Sequence, residues 1–392
     1  MSKSEKTQNE KPVRRVRGEG SVFQRPDGRW VASIPLPNRK RKVEYYDDRK
    51  QAERARRRML RELEDGHLIT GRDQLLDAYL DHWLGIQKEV LKKGTYSMYH
   101  RYLTNRVISS LGHVKLQDLT GDMFQTLYAR WSKEKMSPNT IRLIHTIIKK
   151  ALDDAVRLRK LPLNPVRDAE PPRANEKEMQ VLDIVQAKKL LEAAKDTRLD
   201  CLLHVALLGL RRGELLGLQW HDIDFERKEL KIGRSLSYIH DPETKHHEFV
   251  LDTPKTASSR RVLHLPQFIL DSLVEHRELH QRKQSHAQEW RKLDLIFCSD
   301  MGGYLHPNNL SEGFDRLLKK TGLPDIRFHD LRHSAVTIWI ALGVNPKVIQ
   351  EVLGHSDISI TLGVYSHILP TMHKQAMNHL DVVFGNPQEK ED

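Results

Sequence analysis

The chain has 392 residues, 38% of them hydrophobic, a mean hydropathy of -0.61 and a formal net charge of +12. That length exceeds one ordinary core, so two or three domains are expected. No run of about 18 apolar residues is present to cross a membrane. The opening Met1-Ser2-Lys3 segment lacks the apolar stretch of a signal peptide, so a cytoplasmic site and no membrane partner are expected. Two cysteines, Cys201 and Cys298, exclude a disulfide framework or a Cys-rich zinc site, and both sit in apolar settings that suit buried, inert thiols.

The basic excess favours a polyanionic partner and is unevenly spread. Residues 1–61 hold 19 Lys/Arg against 8 Asp/Glu. Residues 1–17 lack periodicity and read as a disordered basic arm. Three short strands follow at Ser21–Gln24, Trp30–Pro35 and Val43–Tyr46, punctuated by Pro26-Asp27-Gly28 and by a basic turn containing Arg39, Lys40 and Arg41, with Lys42 beside it. A helix is predicted from Arg49 to Leu63, with Ala52, Ala55, Met59 and Leu63 on one face. Residues 18–65 therefore form a small sheet-plus-helix domain whose cations suit nucleic acid.

From residue 73 to 172 the pattern is helical. Leu75, Leu76, Tyr79, Leu80 and Trp83 follow a 3.6-residue period, and further amphipathic stretches cover Thr95–Leu103, Thr120–Ser132 and Pro138–Arg159. Asp122 and Ser137-Pro138 look like helix starts. Lys92 and Lys93 are among the surface cations able to touch DNA. The third unit, 177–385, is expected to be mixed but mostly α, leaving a tail at 386–392. Helices are predicted at Val185–Ala194, Leu199–Leu208, Phe268–Lys283, Leu310–Thr321, Leu331–Leu342 and Lys347–Leu353. Glu229–Gly233, Glu248–Leu251 and Arg260–Leu265 read as one small antiparallel sheet.

The chemistry-bearing residues lie in this third unit. Arg211, after an apolar helix, can present a planar fork to two phosphate oxygens, with Glu214 three residues on to orient it. Lys255, expected at a hairpin tip, can donate a proton to a leaving alkoxide. His329 and Arg332, spaced i,i+3, share a helix face, and His333 points elsewhere. Gly354 ends a helix capped by Asn345-Pro346, so His355 is turned toward a cleft. Tyr365 supplies a phenolic nucleophile. Each residue alone is readily a surface pair, a cap or a core aromatic. Together they point to attack by a tyrosine on a phosphodiester.

Arg211 in Gly-Leu-Arg-Arg-Gly-Glu-Leu, Lys255, His329-Asp-Leu-Arg332-His, Leu-Gly-His355 and Thr-Leu-Gly-Val-Tyr365 resemble the tyrosine recombinase family, in its phage and transposon integrase branch. The resemblance implies a multidomain, mainly α protein. Its parts would be an arm-site DNA-binding domain at 18–65, a helical core-site DNA-binding domain at 73–172 and a catalytic domain at 177–385. It further implies a 3′-phosphotyrosine intermediate, with His329 as base, Arg211, Arg332 and His355 on the phosphate and Lys255 as acid. No cofactor, metal or ATP is implied, because one phosphoester replaces another. The implied partners are duplex DNA, a homo-tetramer on synapsed sites into which the C-terminal stretch docks, a DNA-bending accessory protein and a directionality factor. Rival readings are a chromosome- or plasmid-dimer-resolving recombinase, which would lack the extra N-terminal unit, a type IB topoisomerase, and a catalytically silent DNA-binding regulator.

Overall fold

The computed structural model describes residues 19–35, 41–64, 74–175, 180–252 and 260–354. The chain divides into two compact units, 1–176 and 177–392.

In the first unit, strands β1 (Ser21–Gln24), β2 (Trp30–Pro35) and β3 (Arg41–Tyr46) form an antiparallel sheet in that order, with Ser21 opposite Ser33 and Trp30 opposite Tyr46. Helix α1 (Arg49–Glu64) buries Ala52, Ala55 and Met59 against Ala32 and Ile34. The small alanines let the helix approach the sheet, while alternation along the strands sends Phe23 and Tyr45 outward, each about half exposed. The expected basic turn falls partly outside the described residues: Arg39 and Lys40 are not described, whereas Arg41 and Lys42 begin β3.

The helical part comprises α2 (Leu76–Val90), α3 (Lys93–Tyr102), a π-helical turn at Leu103–Ile108, α4 (Ser109–Leu111), α5 (Gly121–Lys133) and α6 (Pro138–Arg157). Tyr79, Trp83, Phe124, Tyr128 and Trp131 fill its core with Ile141, Ile144 and Ile148. The Tyr79 hydroxyl donates to Ala151 O at 2.6 Å and Trp83 Nε1 to Asp154 at 2.9 Å, so the polar ends of these buried aromatics are satisfied on α6. Ser137 caps α6 with Pro138 in its first turn, as the sequence suggests. For α5 the cap is Thr120, accepting from Met123 N, and Asp122 lies inside the first turn. The stretch expected to end at Leu103 continues through the π turn, which buries Leu103 and Val107.

The second unit contains α7 (Ile184–Ala194), α8 (Asp200–Ala206), α9 (Arg212–Leu216), strands β4 (Ile223–Asp224), β5 (Glu229–Ile232), β6 (Ser235–His240), β7 (His247–Asp252) and β8 (Arg261–His264), then α10 (Gln267–His286), α11 (Pro307–Thr321), α12 (Asp330–Ala341) and α13 (Pro346–Leu353). One large core runs from Leu182 through Leu215, Leu230, Leu263, Leu273 and Phe314 to Leu331. The single sheet expected here is two. β4, β5 and β8 form one; β6 and β7 form a separate hairpin. The sequence reading missed β6, whose polar Ser235 and Ser237 mask the inward Leu236. β7 and β8 belong to different sheets, and the segment between them that carries Lys255 lies outside the described residues.

Candidate active site

Arg211, His329 and Arg332 are described, whereas Lys255, His355 and Tyr365 lie outside the described residues. Arg211 precedes α9. Its backbone N–H donates to Glu214 Oε2 at 3.0 Å and its Nη1 to Glu214 Oε1 at 2.8 Å, the orientation expected from their spacing. Its Nη2 donates to Gly354 O at 3.3 Å, at the end of α13. The Arg211 side chain remains 38% exposed.

Arg332, in the first turn of α12, is 4% exposed. It donates to Gly209 O at 2.5 Å and to Leu353 O at 2.9 Å, joining α12 to the turn before Arg211 and to the end of α13. Gly209 is required at that turn. It has φ +74°, and a Cβ there would collide with Leu353 Cδ2. Burial, and then the charge of Arg211, push the Arg332 pKa down; Glu214 pulls the other way.

A third arginine completes the cluster, and the sequence reading assigned it no role. Arg261, on β8, has a side chain only 7% exposed. Its Nη1 and Nη2 donate to both oxygens of Glu214, at 3.3 and 3.0 Å, and its Nε donates to Val352 O. The signal was available in strand alternation: Leu263, two residues on, is buried and Val262 exposed, so Arg261 is a charge on the inward face. Burial works against an ionised Glu214, but the hydrogen bonds and charge of Arg261, and then Arg211, outweigh it and hold the carboxyl below its ordinary range. Two guanidiniums thus bond one buried carboxylate, and a third, that of Arg332, lies near enough to feel its charge. The surplus positive charge is suited to an anion.

His329 sits at the N-terminus of α12 and its ring meets that of His333 edge-on at 5.7 Å, so His333 shares its face instead of pointing elsewhere. Burial first, and then Arg332, lower the His329 pKa, which keeps the imidazole neutral and able to accept a proton at pH 7. Asp330 accepts from Arg327 N at 2.9 Å and from its guanidinium, fixing the helix start. Cys201 is buried as expected, whereas Cys298 is only partly covered; burial pushes the Cys201 thiol up to about 12 and raises Cys298 as well. Arg41 donates to Ser33 Oγ and Ser21 Oγ across the N-terminal sheet. Lys92 and Lys93 lie at the start of α3.

A cluster of arginines beside a histidine of lowered pKa, on a mainly helical unit with two small sheets, is suited to an anionic substrate such as a phosphodiester. Residues 180–372 match the model of the phage integrase family. A tyrosine recombinase XerC-like protein of Caldanaerobacter subterraneus subsp. tengcongensis is 29% identical over 360 residues, covering 88% of this chain and 92% of that protein. The ICEBs1 integrase of Bacillus subtilis is 27% identical, covering 75% and 79%. Among solved structures, the Tn1549 transposon integrase in complex with transposon right end DNA aligns at a TM-score of 0.64 and 20% identity, covering 78% of this chain and 99% of that one. A lambda integrase dimer bound to a core site aligns at 0.54 and 19% identity, covering 90% and 96%; both structural likenesses concern the fold. Residues 180–372 thus carry a phage integrase family domain, and the chain is similar to tyrosine recombinases and integrases over most of its length. No helix among the described residues is long and apolar enough to cross a membrane.

Proposed function

We propose that this recombinase integrates and excises a mobile element by cutting duplex DNA with Tyr365. The phenolic oxygen attacks the scissile phosphorus, a P–O bond to tyrosine forms, and the bond to the 5′-oxygen breaks. The tyrosine proton passes to His329, whose neutral state at pH 7 fits a base. Lys255 protonates the departing 5′-oxygen. Arg211 and Arg332, with His355, neutralise charge on the phosphorane's equatorial oxygens. A second 5′-hydroxyl then reverses the chemistry on the partner strand. The observation that carries this reading is the arginine cluster with its single buried carboxylate.

The open face of the N-terminal sheet supports a second DNA grip at 18–65. The guanidiniums of Arg25 and Arg29 lie 5.5 and 5.7 Å from the Tyr45 ring centroid, and Arg41 borders them on β3. Residues 73–172 would clasp the core site, with Lys92 and Lys93 near the backbone, and 177–385 would carry the chemistry. Strand exchange between two duplexes needs several protomers. A lambda integrase is known as a tetramer bound to a Holliday junction, and a tetramer is the assembly proposed here, working at the nucleoid where its substrate lies. A bending protein and a directionality factor complete the proposed partners. The XerC-like relative favours dimer resolution as the second reading.

The test is a nicked duplex carrying the ends of the element that encodes the chain. The intact protein should form a covalent adduct resistant to denaturation, and Tyr365→Phe should form none. No adduct from the intact protein would leave a DNA-binding regulator. Recombination between two copies of a chromosomal site, without the element's ends, would favour dimer resolution.

A further inference from the structure

Three consecutive carbonyls at the end of α13 are each held by a different arginine. Val352 O accepts from Arg261, Leu353 O from Arg332 and Gly354 O from Arg211. The last carbonyls of a helix have no partner within it, and here guanidiniums supply them. Two of the three arginines belong to the proposed phosphate site. Arg261 is different: both its terminal nitrogens face Glu214, and its side chain is nearly closed to solvent.

We propose that Arg261 is a positioning residue for strand cleavage, bridging Glu214 to Val352 so that Arg211 and Arg332 are held in register on the scissile phosphate. This rests on the phosphate-site reading above. The geometry assigns it two tasks. It fixes the carboxylate that grips both the backbone and the fork of Arg211. It also pins β8 to α13, so that the Leu353 and Gly354 carbonyls meet their arginines. Without it, Glu214 loses the more buried of the two arginines bonded to it, and the last turn of α13 loses one of three anchors. Arg211 would then sample other rotamers, although every group proposed to touch DNA would still be present.

The experiment is single-turnover formation of the covalent adduct by the full chain on the nicked duplex, across pH, for Arg261→Met and Arg261→Lys. Misplacement of a catalytic group by about 1 Å costs about 100-fold, so Arg261→Met should slow cleavage by about that factor. Duplex affinity should stay close to that of the parent. The charged groups facing Glu214 are Arg211, Arg261 and Arg332; removing Arg261 takes away the strongest pull toward ionisation, so protonation of Glu214 joins that of His329 on the acid limb of the cleavage profile, which should move to higher pH. Arg261→Lys keeps the charge without the fork, so it should fall between the two in rate and restore the acid limb. A parental cleavage rate in Arg261→Met, or a rate lowered only in proportion to lost folded protein with an unmoved acid limb, overturns the proposal. If Arg261→Met does not fold, Arg261→Lys decides: slowed cleavage at parental affinity supports the bridge, and a parental rate overturns it. No adduct from the parent protein, by contrast, would remove the phosphate-site reading itself and this proposal with it.

Discussion

Arginines at the two ends of this protein do opposite things with the same side chain. On the N-terminal sheet, Arg25 and Arg29 flank Asp27 at 3.6 and 3.0 Å with their side chains about half exposed, and they lie over Tyr45. In the second unit, Arg261 and Arg332 are almost fully covered, Arg261 bound to Glu214 and Val352 O, and Arg332 to the Gly209 and Leu353 carbonyls. Water screens the first group, so its members are worth little to folding and remain available to a phosphate backbone. The second group is desolvated, so each charge must be answered, and removing one partner strands the rest. Burial, more than charge count, separates the proposed binding surface from the proposed reaction site.

The contrast breaks most severely at Glu214. Glu214→Ala leaves Arg261 buried without its carboxylate and should destabilise the catalytic unit by about 3–5 kcal/mol, read from urea unfolding. A shift below about 1 kcal/mol would mean that the cluster is wetter than its geometry shows.

His329 comes next. His329→Gln should lower cleavage by about 10²–10⁴-fold, as expected for loss of a positioned proton acceptor. In the parent, burial and Arg332 lower the histidine pKa below 6.5, so the base form persists and the acid limb of cleavage should lie below the ordinary histidine range. The linked stability effect has a definite sign. The unfolded chain takes up the His329 and His333 protons at higher pH than the folded one, so their contribution is complete above 6.5 and is lost as pH falls below it. Thermal unfolding at pH 5.5 and 7.5 checks this; greater stability at the lower pH, after other groups are matched, would reverse the assignment.

The smallest effect belongs to the sheet. Arg25→Ala and Arg29→Ala should leave Tm unchanged within error while weakening DNA binding. Each should also reduce the slope of log affinity against log salt by about 1. An unchanged slope would remove the sheet face from the DNA contact.

What the sequence made legible was local. The Ala52, Ala55 and Met59 stripe and the Ser137-Pro138 cap are set by neighbours within a few residues, and both stand in the fold. Strand pairing was not local. β5 chooses β8 across an inserted hairpin, and no pattern inside Glu229–Ile232 announces that partner. The site divides in the same way. Arg211 and Glu214 could be paired from their spacing, but Arg261 reaches Glu214 over 47 positions and Val352 over 91. Its inward strand position was a visible clue, whereas its partners required three-dimensional closure.

The turn at Gly209 has a consequence for how the enzyme comes into being. Arg332 donates to that carbonyl across 123 positions of sequence, and Leu353 fills the space a side chain would occupy. Contacts of such separation form late, after their loop-closure entropy has been met. A chain still emerging from synthesis, or cut before α13, lacks the closure that seats the arginines. On the proposed phosphate site, competence to cleave DNA would therefore require α13 to have docked.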